Sequence, residues 1–499
     1  MDSNSKALQD GRRGFLKRSA AIGGAAFTAA TLQSLAAHRA WANDEHDDDG
    51  RRVRGDGYGE LQPLADQDGR IILALPKGFR YATFGFIGSP LLNGGGVHAV
   101  NLDGMAAFDG PGHSIRLIRN HEVRNAPGNV TGAVGGPSGT KYDAVAGGGT
   151  ITIDYDPKQH RVVREFISLN GTIVNCAGGL AYRDAGWLTC EETVAGVKNG
   201  WQQPHGYTFL VSKDAHGTVP AIPLKALGRF SKEAAVADNW TGIVYQTEDP
   251  GSGVGAGFYR FLPEDKRDLT RGGKLQMLRV KHQPQYDARE GQTIGRELEV
   301  DWVTIANPDP SLEAGEPGCF AQGFALGGAK FNRLEGIYRG NRGAILFLST
   351  SGGDAKNGDV NSDGFREGYG QLWLYKPRHH DRGTLELVYE STGVDALDSP
   401  DNLCVTPAGG MLFCEDDAGS NDNDTHPLAP GITDVNRLVG LGRDGQPFTF
   451  AVNLLNDSEF AGACFSPDGD TLFVNVFGTG AAASGMTCAI SGPWRRGAL

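Results

Sequence analysis

Two acidic doublets each follow an apolar run and a cysteine: Glu191-Glu192 after Trp187-Leu188-Thr189-Cys190, and Glu415-Asp416 after Met411-Leu412-Phe413-Cys414. A charged pair is costly at the end of a buried strand unless it binds something. Other acids close similar runs: Glu122 in Asn120-His121-Glu122, Glu248 in Glu248-Asp249, and Glu335 in Arg333-Leu334-Glu335-Gly336. Facing one channel, such carboxylates would repel each other by on the order of several kcal/mol without cations between them. Hard divalent ions with oxygen ligands relieve that repulsion, calcium foremost outside the cytoplasm. Cys176 adds a softer donor. It lies between Leu169-Asn170-Gly171-Thr172-Ile173-Val174-Asn175 and the glycine-rich exit Ala177-Gly178-Gly179, where a thiolate could reach iron or zinc. The bland alternatives are solvated surface carboxylates and a small buried thiol.

The elements that must position these residues are short strands. Runs of β-branched and aromatic residues alternate with turn residues along the chain, as in Gly149–Asp156, Gly206–Val211 and Gly370–Tyr375, and glycine is abundant at 74 residues. The segment Ala185–Glu192 is echoed by Ala408–Asp416, and looser copies occur at Asn341–Thr350 and Ser466–Asn475. Repeated turn-plus-strand units over several hundred residues predict an all-β fold, a β-propeller whose equivalent strand ends converge on a central channel. Common hairpin grammar accounts for the turns. It does not account for the acidic pairs beyond the strands.

The N-terminus carries an address. Arg12-Arg13-Gly14-Phe15-Leu16-Lys17, a weakly apolar stretch from Ala20 to Ala37 and the small-x-small site Ala40-Trp41-Ala42 predict a twin-arginine signal over residues 1–42. The partner implied is the twin-arginine export machinery, and the location periplasmic or extracellular. Residues 43–499 lack a linker rich in Pro, Ser or charge and are expected to form one domain, soluble and monomeric. Removing the signal takes away six basic and two acidic side chains, so the mature chain is more acidic than the formal −12 of the whole. Such a field disfavours nucleic acid and anionic membranes.

A collinear series of blocks then carries a resemblance. Asn120-His121-Glu122, Asn175-Cys176-Ala177-Gly178-Gly179, Trp187–Glu192, His205-Gly206-Tyr207, Gly228-Arg229-Phe230-Ser231-Lys232-Glu233, Thr247-Glu248-Asp249, Arg333-Leu334-Glu335-Gly336, Asp401-Asn402-Leu403-Cys404, Cys414-Glu415-Asp416 and Glu459-Phe460-Ala461-Gly462 follow in order. Together they resemble the PhoX family of secreted alkaline phosphatases. The resemblance implies a propeller of about six blades with a central iron and calcium cluster, hydrolysing phosphate monoesters. It makes Cys176 a thiolate ligand to iron, with Glu248 beside it. Glu122, Glu191, Glu192, Glu335, Asp401, Glu415 and Asp416 become candidates for calcium and bridging positions, and Arg333 the residue that holds substrate phosphate. Phosphoryl transfer needs such a set: cations neutralise the non-bridging oxygens and an arginine fork orients the group in flight.

One stretch departs from the family pattern: Leu180–Gly186 replaces the Thr-Pro-Trp-Gly-like turn expected between two ligand blocks. A changed substrate pocket, altered metal occupancy or loss of activity all stay open. Asp359-Val360-Asn361-Ser362-Asp363-Gly364 matches the first half of an EF-hand loop but has Gly370 at the twelfth position. Asp417 to Asp424 is a second acidic loop of the same ambiguity. His121, His205 and His426 are read as structural imidazoles. Two other functions compete: a calcium-dependent propeller lactonase or phosphotriesterase, which needs neither Cys176 nor Arg333, and a non-catalytic calcium-stabilised binding propeller whose channel is filled by the loop at 180–186.

Overall fold

The computed structural model describes residues 57–499 apart from 93–94, 252, 254, 379–380, 418–423 and 443–444. The predicted export signal, residues 1–42, lies outside them, as does most of the acidic loop after Asp417. The described chain is nearly all β, with a single α-helix at Cys319–Ala325. No helix among the described residues is long and apolar enough to cross a membrane.

Six antiparallel meanders follow one another along the chain. Their first strands are Leu102–Asp109, Asn175–Leu180, Lys232–Ala237, Leu334–Arg339, Pro400–Val405 and Phe460–Phe465. Each of these first strands packs against the next, and the last packs against the first, so they form a closed ring. That arrangement fits a β-propeller, with first strands lining a central channel. The second strands run back outside them, at Ile115–His121, Gly186–Glu191, Val244–Glu248, Ile345–Ser349, Met411–Glu415 and Thr471–Val476. The ring is sealed by both ends of the described chain: Arg80–Phe84 pairs antiparallel with Met486–Ser491 as the outermost strand of the last meander. Glu297–Thr304 bridges the third and fourth meanders into one nine-stranded sheet.

Strand alternation explains where the core sits. Side chains along a strand point to opposite faces in turn, and here both faces are covered by neighbouring meanders, so the second strands Ile345–Ser349 and Thr471–Val476 are buried at every position. Separate apolar clusters fill the wedges. One unites Phe258, Phe347, Trp373 and Tyr375 between the third and fourth meanders; another unites Phe79, Phe450 and Trp494 around the sealing strand.

Small residues let the first strands close up. A Cβ added at Gly104 would lie 2.6 Å from Ala177 Cα, at Gly336 2.4 Å from Asp401 O, at Gly462 2.6 Å from Asp103 O and at Gly179 2.2 Å from Ala235 O. Any side chain at these four positions would wedge adjacent meanders apart. Beyond this collar the channel widens into a cavity of about 710 Å³, lined by Met105, Val236, Trp240, Ile337, Arg339 and Phe465 among others.

Candidate metal centre

The other end of the channel collects the acids, and a repeated irregularity puts them there. In every first strand the pairing with the second slips: across Asp103-Gly104, Cys176-Ala177, Glu233-Ala234, Glu335-Gly336, Asp401, and Gly462-Ala463. A bulge releases a residue from the ladder and re-aims its side chain. Five of the six bulges carry an acid or the thiol.

A second set comes from the residue just past each second strand: Glu122, Glu192, Asp249, Thr350, Asp416 and Phe477. One hydrogen bond recurs six times to fix it. The N–H groups of these residues donate to the carbonyls of Asn101, Val174, Ser231, Arg333, Ser399 and Glu459 at 2.9–3.1 Å. Five of the six acceptors stand two residues before the bulge position of their own meander, and Glu459 stands three before. Asn101, Val174, Arg333 and Ser399 have φ between 40° and 55°, a left-handed turn that swings the chain into the channel. In the sixth meander the bulge position is taken by Gly462-Ala463, and the carboxylate comes from Glu459 three residues earlier.

The two sets interleave into four groups whose ligand atoms lie within 4.8 Å of one another: Asp103, Glu122 and Cys176; Cys176, Glu192 and Glu233; Glu233, Glu335 and Asp401; Asp401, Asp416 and Glu459. Cys176, Glu233 and Asp401 are each shared, so the groups form one continuous chain of donors. Burial raises the affinity of these groups for protons: it pushes Glu122 up to about 8 and Asp103 up to about 7, and lifts Cys176, Glu192, Glu233, Glu335, Asp401 and Glu459 well above their ordinary values. Asp103 Oδ1 and both oxygens of Glu233 are buried without a hydrogen-bond partner among the described residues. Buried carboxylates crowded together and short of donors are what divalent cations compensate. The donor set fits such ions: oxygens throughout, with one sulfur for a softer metal.

The structure divides the residues singled out from sequence. Glu122, Cys176, Glu192, Glu335, Asp401 and Asp416 stand in the four groups. Glu191, Glu415 and Glu248 point away from them. Glu191 accepts from His205 Nδ1 at 2.6 Å and from the N–H groups of Ile173, Gly206 and Tyr207. Glu415 forms a two-pronged pair with Arg437 at 2.6 and 2.7 Å and accepts from Asp398 N–H. Glu248 accepts from Tyr259 Oη at 2.6 Å and Gly257 N–H. Each doublet is thus split by strand alternation, its first member locking the strand end and its second entering the channel. The sequence pattern alone does not mark Asp103, Glu233 or Glu459, although Glu233 and Glu459 lie in Gly228–Glu233 and Glu459–Gly462.

Arg333 reaches the mouth of this end. Its Nη2 lies 3.0 Å from both Asp249 Oδ2 and Glu335 Oε1, and its side chain keeps a quarter of its exposure. The departing loop at 180–186 does not come near. It leaves the far end of the strand Asn175–Leu180 that carries Cys176, where the Arg183 N–H meets Asn239 and Asp184 pairs with Arg339. The EF-hand-like segment is a β-hairpin, Lys356–Val360 with Arg366–Gly368, and its Asp363 pairs with Arg289 at 2.8 Å. His121 and His205 are buried among Arg119, Glu191 and backbone carbonyls, and His426 Nδ1 accepts from Leu428 N–H. None of the seven cysteines is disulfide-bonded.

Fold and site together define an all-β, propeller-like protein with a central channel of acidic and thiol donors. The family model described as alkaline phosphatase PhoX matches residues 57–480, and the chain belongs to that family. It is accordingly an enzyme of the phosphoester hydrolase class. PhoX of Pseudomonas fluorescens, solved in complex with vanadate, a transition state analogue, is similar over 89% of this chain and 99% of its own at 19% identity and a TM-score of 0.63, a likeness of fold. A periplasmic gluconolactonase of Pseudomonas aeruginosa is similar at 14% identity over 79% of this chain and 96% of its own, with a TM-score of only 0.32. No curated protein matches the sequence.

Proposed function

We propose that the chain is an exported phosphatase that hydrolyses phosphate monoesters at an iron and calcium cluster in the channel of a six-bladed propeller. The observation that carries this reading is the unbroken run of four donor groups with Cys176 shared by two of them. Cys176 with Glu192 and Glu233 would hold iron. Glu122 and Asp103 on one side, and Glu335, Asp401, Asp416 and Glu459 on the other, would hold the calcium ions. Bound there, the cations would supply positive charge that offsets the phosphoryl oxygens and makes phosphorus more open to attack.

The protein's own part is to bind, orient and exclude. Arg333 is held on one side by Asp249 and Glu335, so its fork is fixed before substrate arrives and can bind the phosphoryl oxygens without losing further side-chain freedom. Glu248, pushed up to about 7 by burial, supports Tyr259 rather than the cluster. The twin-arginine signal at residues 1–42, the periplasmic or extracellular location and a monomeric single domain over 43–499 belong to the same proposal. The reading as a binding propeller with a plugged channel loses its support, since the loop at 180–186 lies at the other end.

Metal analysis of protein from an export-competent host, with a phosphomonoester assay with and without chelator, tests the reading. Iron and calcium are expected, with turnover abolished by chelation and iron lost in Cys176→Ala. Protein without iron, indifferent to that substitution, would sink it.

A further inference from the structure

Arg124 sits two residues beyond Glu122, outside the donor chain, and touches it at two points. Its Nη2 pairs with Glu122 Oε1 and lies 2.6 Å from Glu192 Oε2. The carboxylates it meets are buried, at 4% and 11% side-chain exposure, whereas Arg124 keeps 56%. The guanidinium therefore lies over the donor groups from the solvent side. Arg333 does the same on the other flank, between Asp249 and Glu335. Glu192, 2.6 Å from Arg124, feels the charge of both arginines.

The two guanidinium groups share a second property. Arg124 meets its carboxylates through Nη2 alone, and Arg333 uses Nε and Nη2. Nη1 of each, and Nε of Arg124, take no part in the hydrogen bonds to these carboxylates. Planar forks with N–H groups not taken up by these carboxylates, held part-exposed at the rim of a site, suit a tetrahedral dianion.

Resting on the phosphatase reading above, we infer that Arg124 is a second phosphate-binding residue, which with Arg333 brackets the phosphoryl group of a phosphomonoester across Glu192. The ligand class is a phosphate monoester dianion, whose three non-bridging oxygens are shared between the two arginines. Diesters, which present fewer charged oxygens, would gain less from the second fork.

The experiment compares metal-loaded wild type, Arg124→Ala and Arg124→Lys in three readouts: metal content by elemental analysis, calorimetric binding of inorganic phosphate, and KM and kcat for p-nitrophenyl phosphate. Loss of hydrogen bonds to a charged partner should weaken phosphate binding, and raise KM, by on the order of tenfold in Arg124→Ala and less in Arg124→Lys, which keeps the charge but not the fork. Metal content should equal wild type. Unchanged phosphate binding in both variants would overturn the inference. So would loss of metal in both, because Arg124 would then be holding the carboxylates in place. A wild-type protein that binds phosphate through Arg124 but hydrolyses no ester would refute the phosphatase reading and leave the anion site standing. A wild type that binds no phosphate would refute the anion site itself.

Discussion

Gly104 and Ala177 pack so tightly that a Cβ on the glycine would stand 2.6 Å from the alanine's Cα. The contact lies one residue past Asp103 on one strand and one past Cys176 on the next, so it sets the distance between two metal donors. Gly104→Val should force the first two meanders apart, at a stability cost of roughly 1–3 kcal/mol for overpacking. The expected result is a folded protein that retains less metal, read by elemental analysis alongside circular dichroism. Full metal content in a folded variant would show that the collar does not set the donor spacing.

The split doublets give a paired test. Glu191→Ala leaves the buried His205 and three N–H groups short of an acceptor, a loss on the order of 3–5 kcal/mol for breaking a buried charged network. Glu192→Gln, one residue on, keeps the fold but removes a charged donor from the channel. Denaturant melts should single out the first and metal content the second. Similar behaviour of the two would contradict their opposite orientations.

Stability of the stripped protein should fall as pH rises. Burial holds Glu122 at about 8 and Asp103 at about 7 against ordinary values of 4.5 and 3.8, so between these limits the folded chain keeps protons that the unfolded chain has released. The stabilising contribution is present below the ordinary values and is lost upward through the folded ones, at up to about 1.4 kcal/mol per pH unit for each such proton. Chelator-treated protein should therefore melt higher near about pH 5.5 than near about pH 8, and calcium should restore the loss at the higher pH. A stripped protein more stable at the alkaline end would refute this.

Arg333→Lys keeps the charge and discards the fork. Since both carboxylate partners position that fork, the variant should lose about tenfold or more in kcat/KM for a phosphomonoester while metal content stays as in wild type. Equal kinetics would remove Arg333 from the substrate.

Much of this architecture was legible before any coordinates. The echo between Ala185–Glu192 and Ala408–Asp416 correctly pointed to repeated strand ends around one channel. The sequence pattern offers both members of each doublet as ligand candidates, but a period of two along a strand sends neighbours to opposite sides; Glu191 and Glu415 accordingly bond to His205 and Arg437. Asp103, Glu233 and Glu459 were harder to see. The first two become channel residues through bulges, which a linear pattern does not display, and Glu459 replaces a donor missing from Gly462-Ala463. An acid followed by Gly or Ala at the start of a strand, as in Asp103-Gly104, Glu233-Ala234 and Glu335-Gly336, was the available signal. The arginine at 124 carried no such mark, because its meaning depends on Glu192, sixty-eight residues away.

The strand Arg80–Phe84 seals the ring by pairing with Met486–Ser491. Until those last residues have left the ribosome, the sixth meander lacks its third strand and Glu459 has no settled place beside Asp401 and Asp416. The four donor groups span the chain from Asp103 to Glu459, so the set is complete only when all six meanders are present. A chain cut short just before residue 486 would carry all nine donors yet present them on an open arc.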